Sequence, residues 1–348
     1  MKISNTHNGG NIELLSVNGN TVMLSNELRD TTEDWFYWSF CCEDALPGTV
    51  HFEFDKPNRI GYYGAAVSTD LVNWRWTHTK TSDKSFTYTF KEGENKLYFA
   101  HNMMYLPDRF YNFIASKDIH HTVLCKSEKG NDVPCLKLGN SDKYIVLTAR
   151  HHACEATGSY VLEGVLEELI SSPLNGIGIF CVPFVDYDGV VAGDQGKARY
   201  PHDHNRDYCD QPIYQSTAKI MEFAKQNEIL LAFDFHSPWH QGGRNDAVFI
   251  VEQANFEQKT KEFSALLKKE MTDACYQYNG DDNIAPGIEW NNISSPSFST
   301  FMRKHGAQLS FTLETAYFGR NDNIFSTEKA VELGHCFARA IKKYVENI

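Results

Sequence analysis

The sequence predicts an α/β protein with an open, mixed sheet covered by helices on both faces, preceded by an all-β sandwich. Three observations carry this reading. Residues 1–103 hold short strand-like runs and almost no helical periodicity. From residue 104 onward, apolar strands alternate with amphipathic helical stretches, the pattern of a sheet with helices on its faces. Finally, segment 144–155, YIVLTARHHACE, runs from a β-branched strand, apolar on both faces, into a polar loop and then directly into a helical pattern.

Length and composition bound the answer. A chain of 348 residues is long for one core, so two domains are expected, 1–103 and 104–348. Hydrophobic content of 42% and aromatic content of 13% fit a well-packed soluble protein. A formal net charge of −12 argues against nucleic acid and against an anionic membrane as partner. The first residues lack the apolar core of a signal peptide, and no apolar run is long enough to span a bilayer. Nine cysteines at irregular spacing, with a vicinal Cys41-Cys42 pair and no C-x-x-C, read as reduced thiols. A cytoplasmic location is therefore expected.

Taken in order, the first domain shows strand-like runs at 12–17, 35–40, 49–54, 59–67, 86–90 and 96–100. Turns at Pro47-Gly48, Lys56-Pro57-Asn58 and Gly93-Glu94-Asn95 punctuate them, as in a sandwich. Trp35, Trp38, Trp74 and Trp76 read as its core and rim rather than as a ligand groove. The second domain opens with a helix at 106–116, started by Pro107-Asp108. A hairpin follows, turning at Lys129-Gly130-Asn131-Asp132. After the strand at 144–147, apolar residues Val161, Leu162, Val165, Leu166, Leu169 and Ile170 mark a helix. Strands at 176–185, 229–236 and 308–315 then alternate with helices at 213–226, 256–271 and 327–345.

The strands of this second half share one habit: they end in residues of catalytic type. Ligands bind at the carboxyl ends of strands in open α/β sheets. His152 and Glu155 stand at one such end in the order H-x-x-E. An imidazole and a carboxylate suit zinc, and a catalytic zinc site needs three protein ligands and one open position. His236, closing ILLAFDFH, is the candidate third ligand. Glu314 lies inside the apolar run LSFTLET, where a carboxylate is costly unless paired, metal-bound or working. Between them runs GDQGKARYPHDHNRDY, dense in His, Asp, Asn and Arg. His151 is expected to point away from the metal and Cys154 to be a spectator thiol. Asp234 is left between a supporting role and a core hydrogen bond, and His202 and His204 between cleft and scaffold; His240 has no assigned role.

The segments HHACE, DHNRDY, FDFH and SFTLET follow one another as in the M14 zinc carboxypeptidases, which the chain resembles. Upstream, WFYW, GYY with NWRW, and YTF followed by LYFAHNMMYLPDRF resemble the cytosolic carboxypeptidase branch, which precedes its catalytic domain with a β-sandwich. The resemblance implies one Zn2+ per chain on His152, Glu155 and His236. It makes Glu314 the glutamate that activates water and passes its proton to the leaving amine. Asn205 and Arg206 become the pair that grips the terminal carboxylate of a peptide or protein substrate, and Asp203 the residue that orients His152. A further cation should polarise the scissile carbonyl, and Arg199 or Lys197 is the candidate.

The sequence departs from the family in several positions. Cys154 stands where many members carry a substrate-binding arginine, and no tyrosine occurs between 281 and 316 to close over the substrate; Tyr276, Tyr278 and Tyr317 are the substitutes on offer. Segment 293–301 carries no base for an acidic side chain, although Arg303 and Lys304 follow it. The expected function is a metallopeptidase, a zinc carboxypeptidase. Two rivals are an amidase or deacylase of N-acyl amino acids at the same site, and a peptide-binding protein that has lost catalysis. The complete set of ligands with Glu314 argues against the last.

Overall fold

The computed structural model describes residues 1–320 and 322–347. The N-terminal region is all β: β1 (Lys2–Ser4), β2 (Glu13–Asn18), β3 (Thr21–Ser25), β4 (Ser39–Glu43), β5 (Gly48–Phe54), β6 (Ala66–Ser68), β7 (Arg75–Trp76), β8 (Lys80–Ser82), β9 (Ser85–Phe90) and β10 (Lys96–Ala100). They form two five-stranded sheets, ordered β1-β4-β10-β6-β7 and β2-β3-β5-β9-β8. In β5 the buried residues Val50, Phe52 and Phe54 alternate with less buried ones, the two-residue period of a strand with one covered face. These residues join Trp38, Phe40, Phe86 and Phe99 in a common aromatic core.

Two expected strands are much shorter than their composition suggests. In the run 35–40 the strand begins only at Ser39, and in 59–67 only at Ala66. The backbone of 35–37 finds side-chain partners instead of a ladder. Asn26 Nδ2 donates to the carbonyls of Trp35 and Tyr37 (2.9 and 3.3 Å), and the Tyr37 N–H donates to Gln195 Oε1 at 2.9 Å. Trp38 enters the sandwich core, whereas Trp35, Phe36 and Tyr37 belong to the core under the large sheet.

The remaining elements are α1 (Pro107–Ser116), β11 (Thr122–Lys126), β12 (Asp132–Leu138), β13 (Lys143–Ala149), α2 (Thr157–Ser171), β14 (Gly178–Val182), α3 (Tyr187–Ala192), α4 (Gln215–Gln226), β15 (Glu228–His236), β16 (Val248–Val251), α5 (Glu257–Glu270), α6 (Phe298–Lys304), β17 (Leu309–Thr315), β18 (Gly319–Arg320), β19 (Asn323–Ile324) and α7 (Thr327–Glu346). Strands β11 to β17 build one seven-stranded sheet, ordered β11-β12-β14-β13-β15-β17-β16. Its centre, β14-β13-β15-β17, is parallel. The hairpin β11-β12 closes one edge and β16 the other, both antiparallel.

Alternate residues of β13 and β15 divide between two cores. Ile145, Leu147, Leu231 and Phe233 pack with residues of α2, α5 and α7, while Val146 and Ala232 pack with residues of α4 and α6. Successive side chains of a strand leave opposite faces, so helices cover both sides of the sheet. The parallel strands β13, β15 and β17 therefore deliver their carboxyl ends, with His152, His236 and Glu314, to one edge.

Candidate metal centre and cleft

The loop after β13 is set by Arg150. Its φ of 62° turns the chain out of the strand. The buried guanidinium holds the turn by donating to the carbonyls of Ala153 (3.0 Å) and Tyr105 (2.6 Å). His151 is directed inward, its Nδ1 against Asp234 Oδ1 at 2.9 Å and its Nε2 against the Tyr208 hydroxyl at 2.7 Å. His152 is directed into the cleft.

There His152 Nδ1 lies 2.9 Å from Glu155 Oε1, and His236 Nδ1 lies 2.6 Å from Glu155 Oε2. Donor atoms of these three residues all fall within 4.8 Å of one another. The far nitrogens face carboxylates: His236 Nε2 meets Asp234 Oδ2 at 2.6 Å, and His152 Nε2 stands 3.4 Å from Asp203 Oδ1. Two imidazoles and a carboxylate, with each ring backed by an acid, is the donor set of a divalent transition ion with its supporting shell. The residues thus fit a metal. His151, Asp234 and His236 also meet the distance criterion, but both nitrogens of His151 are already engaged.

The charges are mutually arranged. Burial penalises charge on Glu155, yet His152 and His236 outweigh it and hold the carboxyl well below its usual range. Burial likewise opposes His236, which Asp234 and Glu155 nevertheless hold well above the usual imidazole value. Glu314 behaves differently. It pairs in register with His236 across β15 and β17, it is 6% exposed, and its Oε2 has no hydrogen-bond partner among the described residues. Burial pushes its carboxyl up to about 7, the range in which a carboxylate serves as a base at neutral pH.

His152, Lys197, Asn205, Arg206, His236 and Glu314 line one cleft. Asn205 is fixed by the Phe298 N–H, which donates to its Oδ1 at 3.0 Å. Arg206 is exposed at the rim and donates to the Asn205 carbonyl at 2.9 Å. Lys197 Nζ lies 3.5 Å from His152 Nδ1 and 3.9 Å from Glu155 Oε1. Arg199 is not brought to the cleft: its guanidinium sits among Asp186 (2.9 Å), Asp30 (3.3 Å) and Asp194 (3.3 Å). Three carboxylates surround its Nη2 and hold it away from the metal ligands, so of the two cations considered for the scissile carbonyl only Lys197 reaches the cleft.

Other residues resolve as scaffold. His202 Nε2 pairs with Asp207 Oδ1 at 2.7 Å, and the ring of His204 stacks on Tyr214 at 3.7 Å. His240 meets His101 at 2.8 Å in a buried pair. Burial pushes the Cys154 thiol up to about 12, which makes it an inert neighbour of the Tyr317 hydroxyl at 3.9 Å. Tyr276, Tyr278 and Tyr317 are buried and line no part of the cleft. Lys304 lines a separate cavity beside Phe301 and His305. Ser295 and Ser297, within segment 293–301, also line the cleft, as do Gln253 and Thr312, which the sequence reading missed. Thr312 was recoverable, since it precedes Glu314 by two residues on one strand face.

Among solved structures, a metallo-carboxypeptidase from Burkholderia cenocepacia matches with a TM-score of 0.81 at 18% identity, over 99% of both chains. A metallo-carboxypeptidase from Pseudomonas aeruginosa, in complex with (2-guanidinoethylmercapto)succinic acid, matches at 0.80 and 18%, again over 99% of both. The fold is that of the metallo-carboxypeptidases. In sequence, the family model of the cytosolic carboxypeptidase N-terminal domain matches residues 3–101. Cytosolic carboxypeptidase 2 of Xenopus tropicalis is 25% identical over 298 residues, covering 75% of this chain and 30% of that protein. An uncharacterised protein of Zymomonas mobilis is 29% identical over 180 residues, covering 49% of this chain and 47% of that one. The chain thus spans less than half the length of these curated relatives. Within the M14 carboxypeptidases, it is the cytosolic branch that this chain resembles.

Proposed function

We propose that the chain is a cytoplasmic zinc metallocarboxypeptidase that removes the last residue of a peptide or protein, with residues 1–103 as a sandwich domain and 104–348 as the catalytic domain. The observation that carries this reading is the meeting of His152, Glu155 and His236 with Glu314, Lys197 and Arg206 in one cleft. His152, Glu155 and His236 would hold one Zn2+, with Asp203 and Asp234 fixing the two rings. When bound, zinc supplies a Lewis acid that polarises the carbonyl and acidifies water.

The chain's own groups supply the rest. Arg206, backed by Asn205, offers a planar pair of donors to the substrate's terminal carboxylate. Lys197 presents positive charge to the carbonyl oxygen as it becomes an oxyanion. Glu314 accepts a proton from the attacking water, whose oxygen bonds to the carbonyl carbon. The C–N bond then breaks, and Glu314 returns that proton to the departing amine. Glu314→Gln tests the assignment: full zinc content with turnover lowered by roughly 10²–10⁴ is expected. Loss of zinc in that variant, or retained turnover, contradicts it.

A further inference from the structure

The cleft wall beside Glu314 comes from two neighbouring strands. β16 and β17 pair antiparallel with Val251 opposite Thr312. Thr312 shares the strand face of Glu314, and Gln253, two residues beyond Val251, lines the same cleft. Gln253 is only 6% exposed. Its Oε1 accepts from the Thr300 hydroxyl at 3.2 Å, and that hydroxyl in turn accepts from Ser297 Oγ at 3.1 Å. The direction of this relay commits the amide oxygen to the wall. It leaves Nε2, which donates to nothing among the described residues, for the cleft. Thr312 Oγ1 pairs with Ser299 Oγ at 3.1 Å, a hydroxyl pair that keeps acceptor capacity. Among the described residues lining the cleft, Lys197 and Arg206 are the only Lys or Arg and Glu314 the only carboxylate.

We infer that this wall receives the side chain of the residue being removed and selects an uncharged carboxamide, so that the preferred substrates are peptides ending in glutamine or asparagine. The inference rests on the carboxypeptidase reading above. A side-chain amide oxygen accepts from Gln253 Nε2 while its NH2 donates to Thr312. A carboxylate in the same place finds no additional cation, because Arg206 and Lys197 are held for the terminal carboxylate and the scissile carbonyl. An ammonium or guanidinium finds no carboxylate besides Glu314, which is held for the attacking water, and burying an unpaired charge is costly. An aliphatic side chain shuts Gln253 Nε2 off from water and leaves that donor without a partner, which is the larger penalty in such pockets.

The test uses the zinc-loaded full chain and peptides that differ only in the last residue: Gln, Asn, Glu, Lys or Leu. The expected result is a kcat/KM for Gln or Asn at least about tenfold above the other three. Gln253→Glu should lower the value for the Gln peptide by roughly 10–100-fold and move preference towards Lys. Gln253→Leu, checked for an unchanged melting temperature, should move it towards Leu. Cleavage that favours Glu, Lys or Leu in the unsubstituted protein overturns the inference and leaves the carboxypeptidase reading intact, as does an unchanged preference in both variants. Failure to cleave any of the peptides overturns both.

Discussion

His152 and His236 reach the same carboxylate from two different strand ends, and each ring has a second acid at its far nitrogen. Removing either imidazole leaves two donors where a catalytic zinc needs three. His152→Ala and His236→Ala should each fall well below one zinc per chain by elemental analysis after dialysis. Asp234→Asn keeps the shape but not the charge behind His236, and a metal affinity weaker by roughly 10–100-fold is expected from competition with a chelator. Glu314 gives a stability signature in protein stripped of metal. Its folded value of about 7 lies above the ordinary carboxyl value of 4.5, so the folded state binds the proton more tightly than the unfolded one. That contribution is complete below pH 4.5 and is lost as pH rises through about 7. Glu314→Gln has no proton to lose. Its melting temperature, relative to the unsubstituted apoprotein, should therefore climb between pH 5 and pH 8 by thermal denaturation, and a flat difference contradicts the assignment.

At the level of elements, the site depends on how closely α2 lies to its neighbours. Glycines inside a helix cost about 1 kcal/mol relative to alanine, so Gly158 and Gly164 in α2 call for a packing reason. A Cβ on Gly158 would meet the backbone of Phe235 and His236 at 2.8–2.9 Å, and one on Gly164 would meet Val331 O at 1.9 Å. Gly334 in α7 faces back in the same way, since a Cβ there would meet Val161 O at 2.1 Å. Gly334→Ala should cost about 1–3 kcal/mol by overpacking, read as a lower urea midpoint. Gly158→Ala should displace the end of β15 and weaken metal binding more than it lowers stability. The helices and central strands of this half were legible because each carries the apolar period of its element over many residues. β16 and α6 were not: four apolar residues fit several readings, and the seven residues of FSTFMRK span too few turns for a helical period to stand out. The grouping of His152, Glu155 and His236 was legible because polar residues at the ends of apolar strands contradict their surroundings. Arg199 and Lys197 could not be separated in this way, since their difference lies in the convergence of Asp186, Asp194 and the sequence-distant Asp30 on Arg199.

For the whole molecule, the sandwich and the large sheet share a core. Trp35, Phe36, Trp74 and Trp76 pack in one cluster with Tyr317 and Phe318, and Trp76 Nε1 donates to the Phe325 carbonyl at 3.0 Å. Asn11 Nδ2 donates to the Gly193 carbonyl at 2.7 Å, so the loop carrying Lys197 also rests on the first domain. Neither contact was readable from local sequence, because aromatic runs look alike whether they face one core or two. A junction built this way should resist proteolysis near residue 103, where a tethered module would be cut into two stable fragments. The most direct measurement of the central claim compares one peptide with its C-terminally amidated twin. The zinc-loaded protein should remove the last residue of the free peptide and spare the amide, which offers the proposed Arg206–Asn205 pair no carboxylate. Equal cleavage of both, or hydrolysis confined to N-acyl amino acids, would contradict the account.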